Sequence, residues 1–191
     1  MKFVLASSSP RRQELLRNAG FTFEVRPSSV VEAVRPGETP EQFARRAAEE
    51  KALDVAAEVP RDTLVLGADT IVVVDGEILG KPRDAADATR MLRRLSGCTH
   101  RVLTGVCLVR SPERIEALRH ETTSVTFRGL EEEEIADYVA SGEPFDKAGA
   151  YGIQGLASKF VTRIEGCYFN VVGLPVALVY ELLKPHLFRN R

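Results

Sequence analysis

Cysteine is scarce in this 191-residue chain, and the few present do not form a framework. Cys98, Cys107 and Cys167 are odd in number, widely spaced and contain no CxxC pair, which predicts free, mostly buried thiols in a reducing compartment. Histidine is equally sparse. His100, His120 and His186 lack metal-ligand spacing, which argues against a zinc site and against a catalytic His or Cys. These six residues are expected to be structural or incidental. Neither sign of charge is in excess: 26 Lys and Arg stand against 27 Asp and Glu. The chain therefore has no general attraction for nucleic acid or an anionic membrane, and any anion site must be local. No apolar run approaches the ~20 residues that span a bilayer. The start of the chain, Lys2 and a very short apolar run, does not read as a secretory signal, so a cytosolic location is expected. Repeats, low-complexity tracts and long linkers are also missing.

What is present is ordinary globular composition, 44% hydrophobic and 28% charged, in a length that suits one large domain or two tightly joined lobes. Lys2–Leu16 reads as a short strand, a serine-rich turn and a helix, with Ser9 as N-cap and Pro10 at the first helical position. Gly20 suits the helix end, and Phe21–Arg26 reads as a strand. Thr39-Pro40-Glu41-Gln42 predicts a capped helix to about Val59, before Pro60. Thr63–Ala68 reads as a buried strand, and Ile71–Val74 with Asp75-Gly76 as the first arm of a hairpin. Asp84 caps a helix over about Ala85–Leu95, closed by Gly97. Arg101–Val109 and Ile115–Phe127 read as strands, the latter as one long or two short ones. Glu131–Ala140 reads as a helix with an acidic first turn. Gly142–Gly155 is a glycine-rich loop, Phe160–Ile164 and Tyr168–Val172 read as a strand pair, and Pro175–Leu187 as a closing helix. Interspersed strands and helices with at least one hairpin predict a mixed sheet in an α/β or α+β fold.

Three segments carry candidate chemistry. In the first, a helix start offers unpaired N–H groups and a positive dipole end, yet Arg11 and Arg12 add cations there; that combination predicts a phosphate or polyphosphate site. Read alone it is equally a turn with two solvated arginines. In the second, Gly67–Asp84, Asp69 stands at the mouth of an apolar strand, where a carboxylate must be paired, hydrogen-bonded or metal-bound. Lys81, after Gly80, could reach a phosphate. Lys51 sits among small residues of the helix before this strand, which reads most simply as a solvated helix face. Glu32 is a candidate second carboxylate, locally indistinguishable from other loop acids. In the third, Gln154 offers donor and acceptor on one planar group, matching the N3–H and O4 edge of uracil or thymine, or after a flip, cytosine. Together these could neutralise a polyphosphate, hold a divalent metal and read a base, which is most of what phosphoanhydride hydrolysis requires.

At these residues the chain resembles the Maf family of nucleoside triphosphate pyrophosphatases. The resemblance runs nearly end to end through ASSSPRRQELL (Ala6–Leu16), GADTIVVVDGEILGKPRD (Gly67–Asp84), MLRRLSGCTHRVLTGV (Met91–Val106), SGEPFDKAGAYGIQG (Ser141–Gly155) and NVVGLP (Asn170–Pro175). It implies an α/β fold with a mixed twisted sheet flanked by helices and two lobes around a central cleft, like the inosine triphosphate pyrophosphatases, as a single domain over residues 1–191. It implies cleavage between the α and β phosphates to a nucleoside monophosphate and pyrophosphate, with Mg2+ or Mn2+, and commonly a homodimer. By the same resemblance Asp69 is the proton acceptor, and Arg11, Thr70 and Gln154 govern substrate choice. Ser7, Ser9, Arg12, Lys51, Lys81 and Lys147 are expected around the phosphates, and Glu32 beside Asp69 at the metal. The YGIQG form, Tyr151–Gly155, looks like the dTTP/UTP branch. Alternatives are a modified purine substrate such as 7-methyl-GTP, or a nucleotide-binding regulator of septum formation without turnover. A free Asp titrates near ~3.9, so Asp69 is a weak base unless burial raises it, and it could instead orient a metal-activated water.

Overall fold

A computed structural model describes residues 3–187 of the chain. Lys2, at the head of the first predicted segment, lies outside them. The elements run β1 (Phe3–Leu5), α1 (Pro10–Asn18), β2 (Phe23–Val25), α2 (Pro40–Ala56), β3 (Leu64–Val74), β4 (Glu77–Leu79), α3 (Ala85–Leu95), β5 (Thr99–Arg110), β6 (Arg114–Phe127), α4 (Glu132–Ala140), β7 (Val161–Glu165), α5 (Tyr168–Val172) and α6 (Val176–Leu187). The strands form a mixed sheet in the order β2-β1-β3-β5-β6-β7, with β4 paired to β3. β1 is parallel to β2 and β3, whereas β3–β4 and β6–β7 are antiparallel. This is the mixed α/β architecture expected.

Local chemistry explains most element ends. The Ser9 hydroxyl accepts from Arg12 N at 3.4 Å, and Pro10 opens α1. Thr39 and Gln42 form a reciprocal capping box at α2, with Gln42 N to Thr39 Oγ1 at 3.2 Å and Thr39 N to Gln42 Oε1 at 2.9 Å. Asp84 Oδ1 accepts from Asp87 N at 2.8 Å to start α3. Asp75 and Gly76 both take positive φ, +49° and +80°, as a tight hairpin turn matching strand twist requires.

The chain divides into two compact units. The first comprises Met1–Asp69, Thr104–Glu121 and Gly173–Arg191. Its core joins Val4, Ala6 and Val65 to Cys107 and Val109 and to the small face of α2, Ala48, Ala52, Val55 and Ala56. The second comprises Thr70–Leu103 and Thr122–Val172. Its core is aromatic: Phe127 packs edge-on against His100, Tyr151 and Phe160, at ring separations of 5.0, 4.8 and 6.0 Å.

Two expectations are corrected. Tyr168–Val172 is helical, not a strand paired with Phe160–Ile164; β7 pairs with β6 instead. The buried Asn170 explains the change: its amide donates to Val102 O at 2.9 Å and Thr123 Oγ1 at 3.0 Å, and a single helical turn aims it there. Asp69 is not at a strand mouth either. β3 continues through it for 11 residues, from Leu64 to Val74. Its neighbour β1 ends at Leu5, paired with Leu66, so Asp69 lies where β3 outruns that partner.

Candidate active site

The first unit assembles most of the expected residues around Asp69. Its carboxylate is buried, 3% exposed, and Oδ1 accepts from Lys51 Nζ at 2.6 Å. The same ammonium pairs with Glu32 Oε1, so one buried lysine bridges both candidate carboxylates. Lys51 reaches this point because α2 lies unusually close to the sheet. A Cβ on Gly67 would stand 2.2 Å from Ala48 O, and one on Gly105 1.9 Å from Ala44 O. The run of alanines around Lys51 is thus a packing face and not a solvated one, and Lys51 itself is only 9% exposed.

Arg12 is buried as well, and its guanidinium ties the unit together. Nε donates to Gly173 O at 2.8 Å, and Nη1 to Ala68 O at 2.9 Å and Ser7 Oγ at 3.1 Å. Ser7 Oγ also accepts from Ser9 N at 3.3 Å. Arg12 therefore grips the carbonyl immediately before Asp69. Arg11 is half-buried on the first turn of α1.

Burial pushes the Asp69 carboxyl above the usual carboxylate range. Lys51 opposes this most strongly and Arg12 also opposes it, while the Glu32 carboxylate reinforces it. Burial likewise lowers Arg12, against the pull of Asp69 and Glu32. The second Asp69 oxygen, Oδ2, is buried with no hydrogen-bond partner among the described residues. A desolvated carboxylate oxygen with open lone pairs can accept a proton or ligate a cation.

This donor set fits a hard divalent cation. Mg2+ is characteristically held by one or two carboxylates together with substrate phosphates and water. Among the described residues no group of three or more His, Cys, Asp or Glu could hold a metal on its own. Asp69 and Glu32 are the two carboxylates that could hold such a cation together with substrate, and both are here paired to Lys51.

The remaining expected residues belong to the second unit. Thr70 follows Asp69 in β3 and is half-buried, and Lys81 is exposed after Gly80. Gly80 O accepts from Gly149 N at 3.0 Å, fixing the Lys81 turn to the glycine-rich loop. Gln154 is exposed at the tip of that loop, between buried Ile153 and half-buried Gly155. Lys147 Nζ donates to Glu143 O and to Asp146 Oδ1, both at 2.6 Å, so it braces its own loop.

Sequence reasoning missed the supports of this loop. His100 Nε2 lies 2.8 Å from Tyr151 Oη, and burial pushes the imidazole down to about 4, so it is neutral at pH 7. Tyr138 Oη and the Glu143 carboxylate hold the other flank. The only available sequence signal was the spacing of Gly152 and Gly155, whose missing side chains make room for Lys147 and Glu143.

The sheet order and helices define a mixed α/β protein of a kind also seen in a HAM1 protein from Coxiella burnetii. That structure superposes with a TM-score of 0.50 at 16% identity, over 97% of this chain and 99% of that one. The family model described as Maf-like protein matches residues 2–186, and the chain belongs to the Maf family. A relative from Koribacter versatilis (strain Ellin345), named dTTP/UTP pyrophosphatase, is 56% identical over 184 residues, 96% of this chain and 94% of its own length. Relatives of the same name from Shigella sonnei (strain Ss046) and Salmonella typhimurium (strain LT2) are 55% and 56% identical over 180 residues, each match covering 94% of this chain and 90% of the relative.

Proposed function

We propose that this protein is a nucleoside triphosphate pyrophosphatase that hydrolyses dTTP and UTP at the α–β phosphoanhydride, yielding the nucleoside monophosphate and pyrophosphate. The observation that carries this reading is the buried Asp69 carboxylate, raised by desolvation, paired to Lys51 on one oxygen and open on the other. Its 55–56% identity to relatives named for this activity supports the choice of substrate.

In this reading water adds across the anhydride: its oxygen bonds to phosphorus, the bridging oxygen leaves with pyrophosphate, and Asp69 Oδ2 receives the proton. Burial raises the Asp69 carboxyl and so makes it a better base than a solvated Asp when no cation is bound; with Mg2+ or Mn2+ on the carboxylate, the cation would acidify the water instead and Asp69 would orient it. Lys51 keeps the carboxylate oriented through Oδ1, and Arg12 fixes the backbone just before it through Ala68 O. Ser7 and Ser9, just before α1, would offer hydroxyls and Arg11, on its first turn, charge for phosphate, and Lys81 would add a further cation. Asp69 and Glu32 are the residues that would hold Mg2+ or Mn2+, which supplies charge neutralisation on the phosphates and acidifies water. Gln154, Thr70 and Arg11 select the substrate. The unit of function is the whole chain acting as one domain on free cytosolic nucleotides, as a homodimer. No helix among the described residues is long and apolar enough to cross a membrane.

The test is pyrophosphate release from dTTP, UTP, CTP and 7-methyl-GTP with Mg2+. Release is expected to be fastest with dTTP or UTP. Orthophosphate in place of pyrophosphate would refute α–β cleavage, and a lack of turnover on every nucleotide would refute the enzyme.

A further inference from the structure

The turn that presents Gln154 is held at both ends by one pair of side chains. Gly155 N donates to Gly152 O at 3.1 Å, closing the turn with Gln154 at its exposed tip. On the chain entering the turn, Gly152 N donates to Tyr138 Oη at 3.2 Å. On the chain leaving it, Leu156 N donates to Glu143 Oε2 at 2.9 Å. These two anchors are themselves joined, since Tyr138 Oη donates to Glu143 Oε1 at 2.9 Å. Gln154 is therefore centred, two residues from each anchored N–H.

The fit is close. A Cβ on Gly155 would stand 2.2 Å from Glu143 Oε1, so the backbone of the turn lies directly on the carboxylate. A Cβ on Gly152 would stand 2.5 Å from Lys147 Cε. The anchors are rigid in turn. Tyr138 belongs to α4 and packs edge-on against Phe160 at 5.4 Å, and Lys147 holds the Glu143 backbone through its carbonyl. Two separate anchoring bonds would stabilise any loop, but the Tyr–Glu pair couples both ends of a turn whose only exposed polar side chain between the anchors is Gln154. A planar amide reads a base edge only if its position and plane are fixed, because a small displacement misdirects donor and acceptor and a half-turn exchanges them.

We propose that Tyr138 and Glu143 are positioning residues for base selection, clasping the Gly152–Leu156 turn so that Gln154 discriminates between nucleotide bases. The proposal deepens the pyrophosphatase reading and rests on it. Tyr138→Phe removes the hydroxyl that serves both bonds while keeping the ring against Phe160. It should cut the ratio of kcat/KM for dTTP over CTP by about tenfold, as loss of a charge-linked hydrogen bond implies. The loss should fall mainly in KM for dTTP, with kcat within about twofold. In a Gln154→Ala background, Tyr138→Phe should leave that ratio unchanged, because the clasp acts only through Gln154. Glu143→Ala should reproduce Tyr138→Phe and Glu143→Gln should restore most of the ratio; if Glu143→Ala fails to fold, the tyrosine variant carries the test.

Calorimetric binding of non-hydrolysable dTTP and CTP analogues supplies a readout independent of turnover. Loss of binding preference in Tyr138→Phe, in a wild type that does not hydrolyse, sustains the clasp and refutes the pyrophosphatase. An active wild type whose preference survives Tyr138→Phe, or is further reduced by it in the Gln154→Ala background, overturns the clasp alone. A wild type with no preference between the bases overturns the proposal as well.

Discussion

At the scale of single residues, Asp69 is held by opposing forces that make its replacement informative. Burial raises its pKa, and Lys51 at 2.6 Å together with buried Arg12 keeps an anion acceptable there. Asp69→Asn removes the proposed proton acceptor and leaves two buried cations with one counter-charge fewer. Turnover should fall by at least about a hundredfold, the range of a lost general base. Stability should fall by about 3 kcal/mol, the lower end of the cost of breaking a buried pair from one side. Steady-state pyrophosphate release and urea midpoints check the two effects separately; near-normal rates would remove Asp69 from the chemistry. That Asp69 must be paired was readable from its motif, because a carboxylate in an apolar run is costly alone. Its partners were not readable from local pattern, and Glu32 was expected beside it only through the family resemblance. Lys51 lies 18 positions away on a helix whose sequence looks like any charged surface, and Glu32 has no local mark. Arg12 shows the same limit. Its position at a helix start suggested a phosphate ligand or a solvated cation, whereas its bond to Gly173 O joins residues 161 positions apart.

At the scale of elements, the approach of α2 to the sheet delivers Lys51 to Asp69. Gly67 on β3 and Gly105 on β5 leave no room for a methyl group against Ala48 O and Ala44 O. Gly67→Ala must push α2 away or bend β3, and Lys51 sits on the same stretch of helix as Ala48 and Ala52. The substitution should cost about 3 kcal/mol, the upper part of the usual overpacking range. It should also lower kcat by roughly tenfold, since small misplacements of catalytic groups are costly. Gly129→Ala, which meets nothing within 4 Å, is the control and should be near neutral. Thermal midpoints with kcat for the two variants decide the matter, and a Gly67→Ala enzyme with normal kcat would show that the close approach is structural only. Elements whose signals are local were legible: the caps of α1, α2 and α3 and the Asp75-Gly76 turn lie within four residues of chain. The helical form of Tyr168–Val172 was not, because its determinants are the Asn170 bonds to Val102 O and Thr123 Oγ1, 68 and 47 positions away. The continuity of β3 through Asp69 escaped for a related reason. Asp69 and Thr70 read as a polar break between the apolar runs Thr63–Ala68 and Ile71–Val74, and only the bond from Lys51 on α2 explains why a carboxylate stands inside a strand.

At the scale of the whole molecule, folding stability is linked to pH through a buried histidine. His100 is 1% exposed, bonded to Tyr151 and packed on Phe127, and burial lowers its pKa from 6.5 to about 4. Between those two values the unfolded chain holds a proton at this position that the folded chain rejects. Stability from this group is therefore complete above about pH 6.5 and is lost as pH falls toward 4. The full shift corresponds to roughly 3 kcal/mol, of which about 2 kcal/mol is lost by pH 5. Glu38 and Asp87 act lower. Arg46 pulls Glu38 down to about 2 and Arg83 pulls Asp87 down to about 2, so their contributions are present above the usual carboxylate range and are lost below about pH 4. The acid response should accordingly begin two units above the point at which paired carboxylates account for it. Urea denaturation of wild type and His100→Gln at pH 7.5 and pH 5 isolates the histidine. Wild type should lose about 2 kcal/mol more than the variant over that interval. Equal losses would mean that the folded imidazole takes up its proton between pH 7.5 and pH 5 as readily as the unfolded chain does, and so that water reaches the Tyr151 flank of the glycine-rich loop.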